Sequence, residues 1–255
     1  MVAAMTTRHR IFDEFLLATS VLTRLPVAAQ AAEEGAVARA SWAFPVVGAG
    51  VGMIAALVLF VAAAFGLGEA PAVLLGLVAA GLVTGALHED GLADTADGFG
   101  GGHDRDEKLA IMRDSRQGTY GILALILSIG LRAVALAAIP GPIEAGLALI
   151  AAHAAARAFL PGAMTLLKPA RVDGLGATAG TPNEMTALAA LAIGILVALA
   201  LLGPVRGAAA LILCGIAVAA TAALARRQIG GYTGDVLGAI EQVGEIVMLL
   251  AAAAR

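Results

Sequence analysis

Three aspartates, Asp90, Asp94 and Asp97, recur at i, i+4 and i+7, a spacing that sets all three carboxylates on one face of a helix. Carboxylates that converge at the end of an apolar run repel one another, because solvation there is poor. A divalent cation removes that repulsion, and all-oxygen ligation favours Mg²⁺, Mn²⁺ or Ca²⁺ over zinc. Mg²⁺ usually takes one or two carboxylates and keeps positions for water and substrate phosphate, which suits a phosphotransferase. The competing reading is a solvated acidic loop.

The residues after the aspartates strengthen the metal reading. Gly98, Gly100, Gly101 and Gly102 come next, and glycine lets backbone N–H groups approach an anion closely, although such a run also serves as a linker. Lys108, Arg113 and Arg116 then supply cations of the phosphate-binding kind, arginine in bidentate fashion. The same cations would also anchor the chain at a membrane surface, and Asp114 between the arginines would pair with them. Together, carboxylates, glycines and arginines read as a metal–pyrophosphate site. The sequence holds no Walker-type lysine loop and no G-x-S-x-G elbow, so nothing supports a covalent serine or cysteine intermediate.

The segment 88–121 that carries these residues is a polar island. Its 34 residues hold twelve of the chain's 35 Asp, Glu, Lys and Arg, in a sequence that is 60% apolar and 14% charged. A mean hydropathy of +0.91 lies outside the range of soluble domains. Several runs also reach the roughly 20 residues a helix needs to cross a bilayer. The expected fold is all-α: one integral membrane catalytic domain, residues 1–255, built as a transmembrane helical bundle of about seven spans. Candidate spans are 44–67, 71–87, 120–139, 143–167, 185–203, 205–225 and 236–254, with proline and glycine marking the stops. Asp13, Glu14 and Arg24 interrupt what would otherwise resemble a signal peptide. Phe12, Phe15, Leu16, Thr19 and Leu22 recur instead at the spacing of an amphipathic N-terminal helix. Cys214 stands alone in an apolar run, which excludes a disulfide framework and a cysteine metal site.

Seven spans place four basic segments on one side: Arg8 to Arg39, Arg105 to Arg116, Lys168 with Arg171, and Arg226 with Arg227. They hold 12 of the 16 basic residues. Basic residues collect on the cytoplasmic side, so the polar island is expected to face the cytoplasm from a bilayer. Polar residues inside spans are costly, and Arg132, Arg157, Glu241 and Glu245 read as a buried pairing. His88, at a span boundary, either touches substrate or caps the interface. The loop 230–235 brings another carboxylate, Asp235, to the same side. Nothing in the sequence points to nucleic acid, and a homo-oligomer is left open.

The runs HEDGLADTADGFGG (88–101) and IMRDSRQGTYG (111–121) closely resemble the cobalamin synthase family, the adenosylcobinamide-GDP ribazoletransferases. FLLATSVLTRLPV, SWAFPVVGAGVG and GGYTGDVLGAIEQVGEI extend the resemblance along most of the chain. It implies a multi-pass enzyme of the cell inner membrane that joins α-ribazole, or its 5′-phosphate, to adenosylcobinamide-GDP, releases GMP and uses Mg²⁺. On that resemblance Asp90, Asp94 and Asp97, with Glu89, would hold Mg²⁺. Arg113 and Arg116 would stabilise the transferring phosphate, and Asp94 or Asp235 would accept the hydroxyl proton. His88, Gly100, Gly101, Lys108 and Asp114 would contact substrate.

Two other classes compete. A CDP-alcohol phosphatidyltransferase also opens its motif with Asp-Gly, but it wants Ala-Arg shortly after, whereas this chain has Leu92-Ala93-Asp94. A divalent-cation transporter would place carboxylates near the bilayer midplane, whereas these sit at the rim.

Overall fold

Proline and glycine end the apolar runs close to where the sequence predicts. In the computed structural model, which describes residues 2–28 and 33–254, every regular element is a helix. It begins with α1 (Val2–Leu22) and α2 (Ala36–Ala40), and a 3₁₀ turn leads into α3 (Phe44–Ala64). Then come α4 (Glu69–Thr84), α5 (Leu87–Gly101), α6 (Arg105–Ile111), α7 (Thr119–Ala137), α8 (Pro142–Ala158) and α9 (Leu160–Leu166). The last elements are α10 (Leu175–Thr178), α11 (Glu184–Leu202), α12 (Pro204–Ile229) and α13 (Gly234–Ala253). Among the described residues the only β pairing is an isolated bridge between Pro169 and Tyr232. Arg255 and the side chain of Arg8, both used in the charge count above, lie outside the described residues.

Among the described residues six helical runs are long and apolar enough to cross a membrane: 36–64, 119–137, 142–166, 184–202, 204–229 and 234–253. The seventh expected span is a bent pair, α4 and α5, meeting at 89°. The span predicted over 71–87 stops at Thr84 because Gly85 (φ 66°) and Ala86 (φ 57°) are both left-handed. Both amides return to the Gly81 carbonyl, and the chain turns sharply. Glycine takes that conformation freely; an alanine held there is strained by about 1–2 kcal/mol.

The segment between the expected spans, 88–119, is built on two helices, α5 and α6. The reason is amphipathicity at short range: Gly91, Ala93 and Gly98 are small and buried, so α5 can press against its neighbours while Asp90 faces outward. Asp104 caps α6, its carboxylate accepting from the Asp106 and Glu107 amides.

The core runs through α8, where every residue from Ala151 to Ala158 is buried. Alanine lets neighbouring backbones approach closely. Outward, Met53, Leu57, Ile126, Val134, Leu196 and Ile216 stay exposed, the surface a bilayer would cover. The N-terminal helix docks through Ala18 and Leu22, with Phe15 and Val21 packed against the core. Trp42 Nε1 donates to Glu14 at 2.8 Å, and Phe12, on the expected apolar face, is exposed where a membrane surface would cover it.

The four basic segments gather at one end of the bundle. Ala38 N donates to Ala179 O (2.9 Å), and Arg105 reaches both Ile229 O (3.0 Å) and Ala170 O (2.6 Å). Tyr232 and Lys168 pair through their backbones. The shared end that seven spans predict is met by direct contact.

Candidate functional site

Helix α5 is the platform, and its closeness to α13 makes the site. A Cβ added at Gly91 would lie 2.7 Å from the Asp235 carbonyl oxygen, and one added at Gly238 would lie 3.1 Å from the His88 carbonyl oxygen. The two backbones thus nearly touch. This contact brings Asp90 and Asp94 of α5 to Asp235 of α13, two segments far apart in sequence. Asp94 stands in the electrostatic field of Asp90, Asp235 and Asp97. Asp90 is exposed, while Asp94 and Asp235 are half-buried. Gln117 reaches Asp94 with a long contact of 3.4 Å. Asp235 accepts from Arg171 Nη2 (3.1 Å) and Thr233 Oγ1 (3.0 Å).

The other two acids of the predicted metal set are otherwise engaged. Asp97 is buried, and its two oxygens accept the Gly118 amide (2.7 Å) and the Gly121 amide (2.9 Å). Amides at a helix start have no partner within their own helix and carry positive partial charge, so a carboxylate is the natural mate. Glu89 faces the bundle interior, within 3.2 Å of Arg132 Nη2 and 3.4 Å of Gln242 Nε2. Asp90, Asp94 and Asp235 are thus the acids left beside the α5–α13 contact, each within the electrostatic field of another.

The predicted cations are likewise partnered. Arg113 Nη2 meets both oxygens of Asp173 (2.6 and 2.9 Å), and Lys108 Nζ donates to Gln228 (2.5 Å). Arg116 and Asp114 form a close pair (2.5 Å) on the surface, and the guanidinium holds the Asp114 carboxyl down to about 2. Gly100 and Gly101, read from sequence as a possible backbone cradle, are the last residues of α5. Their amides belong to a helix, and Gly100 lies under the Tyr120 ring.

Behind the acids lies a polar network that the sequence predicts only in part. Arg132, 3% exposed, bridges Glu89 and Glu245 (3.1 Å), and Arg157 pairs with Glu241. His153 Nδ1 sits 3.0 Å from Glu245, and Arg157 Nη2 reaches His88 Nδ1 (3.3 Å). Ser128 and Gln242 close the set at 2.9 Å. The pairing among Arg132, Arg157, Glu241 and Glu245 is as the sequence suggests. His153, Glu241 and Glu245 each offer a ligand atom within 4.8 Å of the others. A guanidinium already occupies the place a cation would take, because Arg157 contacts both glutamates.

Two residues escape the sequence reading of the site. Arg171, in the segment between α9 and α10, orients Asp235, and its buried Nε has no partner among the described residues. Gln242 ties Glu89 to Glu241. Only a known fold could have drawn Arg171 in. Gln242 carries a weak signal, an amide flanked by two glutamates inside an apolar run.

Fold and site together define a class: a polytopic helical membrane protein with an open carboxylate cluster at one end of its bundle, braced by a buried ionic network. The chain belongs to the cobalamin-5-phosphate synthase family, whose family model matches residues 14–253. It is 53% identical to the adenosylcobinamide-GDP ribazoletransferase of Bradyrhizobium diazoefficiens over 255 residues, covering 100% of this chain and 98% of that protein. The enzyme of the same name from Mesorhizobium japonicum is 49% identical over 96% of this chain and 94% of its own. That of Azorhizobium caulinodans is 43% identical over 95% and 96%. No solved structure matches the chain. These relatives are transferases, and neither competing class of membrane protein finds support beside them.

Proposed function

We propose that this protein is an adenosylcobinamide-GDP ribazoletransferase, joining α-ribazole or its 5′-phosphate to adenosylcobinamide-GDP with release of GMP. The full-length similarity to enzymes of that name supports the reaction. The observation that carries the site is the meeting of Asp90 and Asp94 with Asp235 across the α5–α13 contact. A ribose hydroxyl attacks the phosphorus nearest the cobinamide; a new P–O bond forms, the pyrophosphate bridge breaks, and GMP leaves with the bridging oxygen.

Asp235 is well placed to take the hydroxyl proton, since Arg171 and Thr233 fix its orientation. The unpartnered Arg171 Nε supplies an N–H for a phosphate oxygen. Asp90 and Asp94, one helical turn apart, fit Mg²⁺ by donor type: both offer only oxygen, and Arg171 is the one cation beside the three acids among the described hydrogen bonds and ion pairs. Bound there, Mg²⁺ would neutralise charge on the pyrophosphate. Positioning and charge neutralisation are the main demands of such a transfer. Arg113 and Arg116, as placed, would have to exchange Asp173 and Asp114 for phosphate oxygens to take part.

The membrane is read as the cell inner membrane, with the charged end toward the cytoplasm. This rests on the gathering of the basic segments at that end. The deciding assay mixes purified protein, Mg²⁺, adenosylcobinamide-GDP and α-ribazole and measures GMP. Stoichiometric GMP and a joined corrinoid product are expected; a folded protein that releases no GMP would refute the reading.

A further inference from the structure

Beside the acids, between α1, α3, α5, α9 and α13, lies a cavity of about 180 Å³. Its walls are apolar: Val21 and Leu22 from α1, Phe44 from α3, Leu160 and Met164 from α9, and Leu237 from α13. Three polar residues interrupt them, His88, Asp90 and Asp235. Two of these are the carboxylates that the proposed chemistry uses. The cavity therefore abuts the reacting groups on one side and is oily on the others.

Its size and chemistry select an occupant. An apolar cavity of roughly 150 Å³ takes up benzene, so this one has room for a small aromatic ring system and none for a corrin macrocycle. Guanine would engage Asp90 or Asp235, carboxylates the transfer itself needs, with its N1–H and N2–H and would leave O6 and N7 among apolar walls, and buried unmade hydrogen bonds are costly. Arginine only donates, so the contact from Arg157 makes His88 Nδ1 an acceptor, and the neutral imidazole then carries its proton on Nε2. That leaves a single N–H donor in an apolar setting. An apolar bicyclic base with one acceptor nitrogen matches it.

We propose that this cavity is the subsite for the aromatic base of the acceptor nucleoside: its ring lies against Phe44, Leu160, Met164 and Leu237, and its free ring nitrogen accepts from His88 Nε2. This inference rests on the ribazoletransferase reading and deepens it, since it names the walls that select the nucleoside. With the base so lodged, the ribose would emerge beside Asp90 and Asp235, where its hydroxyl meets the proton acceptor.

The test uses the full chain in phospholipid nanodiscs and reads two quantities, equilibrium binding of α-ribazole and GMP release. Val37→Phe and Leu237→Phe each fill the cavity from a half-buried position. Both are expected to weaken α-ribazole at least tenfold and to raise its KM in parallel, while the KM for adenosylcobinamide-GDP stays within twofold. Benzimidazole riboside, which lacks the ring methyls, should lose less affinity in both variants. Indole riboside, which lacks the acceptor nitrogen, should bind wild-type protein weakly and be insensitive to His88→Leu. Unchanged α-ribazole affinity in both filled variants would overturn the proposal. A penalty that falls on the corrinoid KM alone would overturn it too. If wild-type protein binds α-ribazole and both filled variants weaken it, but no GMP is released, the transferase reading fails while the base subsite stands. If it does neither, both fall.

Discussion

Gly91 of α5 and Gly238 of α13 pack backbone to backbone: a Cβ placed on Gly238 would sit 3.2 Å from the Gly91 Cα. The polar island meets the last span through this contact, so the acid cluster depends on two residues that carry no functional group.

Gly91→Ala should separate the two helices, because the new methyl would meet the Asp235 backbone at 2.7–3.2 Å, and backbone cannot swing aside. The expected cost is about 1–3 kcal/mol, read as a lower melting temperature in detergent. GMP release should fall further than stability does, since Asp94 and Asp235 move apart. A variant with wild-type turnover would show that the contact does not set the site.

Asp94→Asn and Asp97→Asn should behave differently although both lie on the same helix. Asp94→Asn is expected to reduce GMP release at least a hundredfold and to weaken Mg²⁺ binding at nearly unchanged stability. Asp97→Asn loses an ionic acceptor for the Gly118 and Gly121 amides, bonds of a kind worth about 1.5–3 kcal/mol each. It should destabilise the α5–α7 contact and spare Mg²⁺ affinity. Calorimetric Mg²⁺ titration alongside thermal melts separates the two; equal loss of Mg²⁺ affinity would return Asp97 to the ligand set.

Arg132→Leu strands Glu89 and Glu245 in the bundle interior. Removing one partner of a buried pair costs about 3–5 kcal/mol, so poor recovery of folded protein is expected. Adding Glu245→Gln should restore part of that loss, and a double-mutant cycle on unfolding midpoints measures the coupling. Additive effects would mean that the 3.1 Å pair contributes no coupling.

Topology can be tested through the lone, fully buried Cys214, which leaves a clean background. His103→Cys, between α5 and α6, should react with an impermeant maleimide only after spheroplasts are permeabilised. Pro140→Cys, at the opposite end, should react in intact spheroplasts. The reverse pattern would turn the active site outward.

Much of this architecture is already determined by the sequence alone. Apolar runs of the right length must be helices that bury or coat themselves in a bilayer, because unpaired backbone cannot remain there. Prolines and glycines then mark their ends. The i, i+4, i+7 spacing likewise places Asp90, Asp94 and Asp97 on one helical face without reference to any neighbour. The partners that pack against that face are not written in α5, and only the tertiary structure decides them. The α7 amides take Asp97, Arg132 takes Glu89, and Asp235 arrives beside Asp94 from a helix some 140 residues along the chain. Arg171 joins for the same reason. Periodicity is a local property of the backbone, but which carboxylate keeps a free oxygen depends on donors brought in by the packing of distant helices.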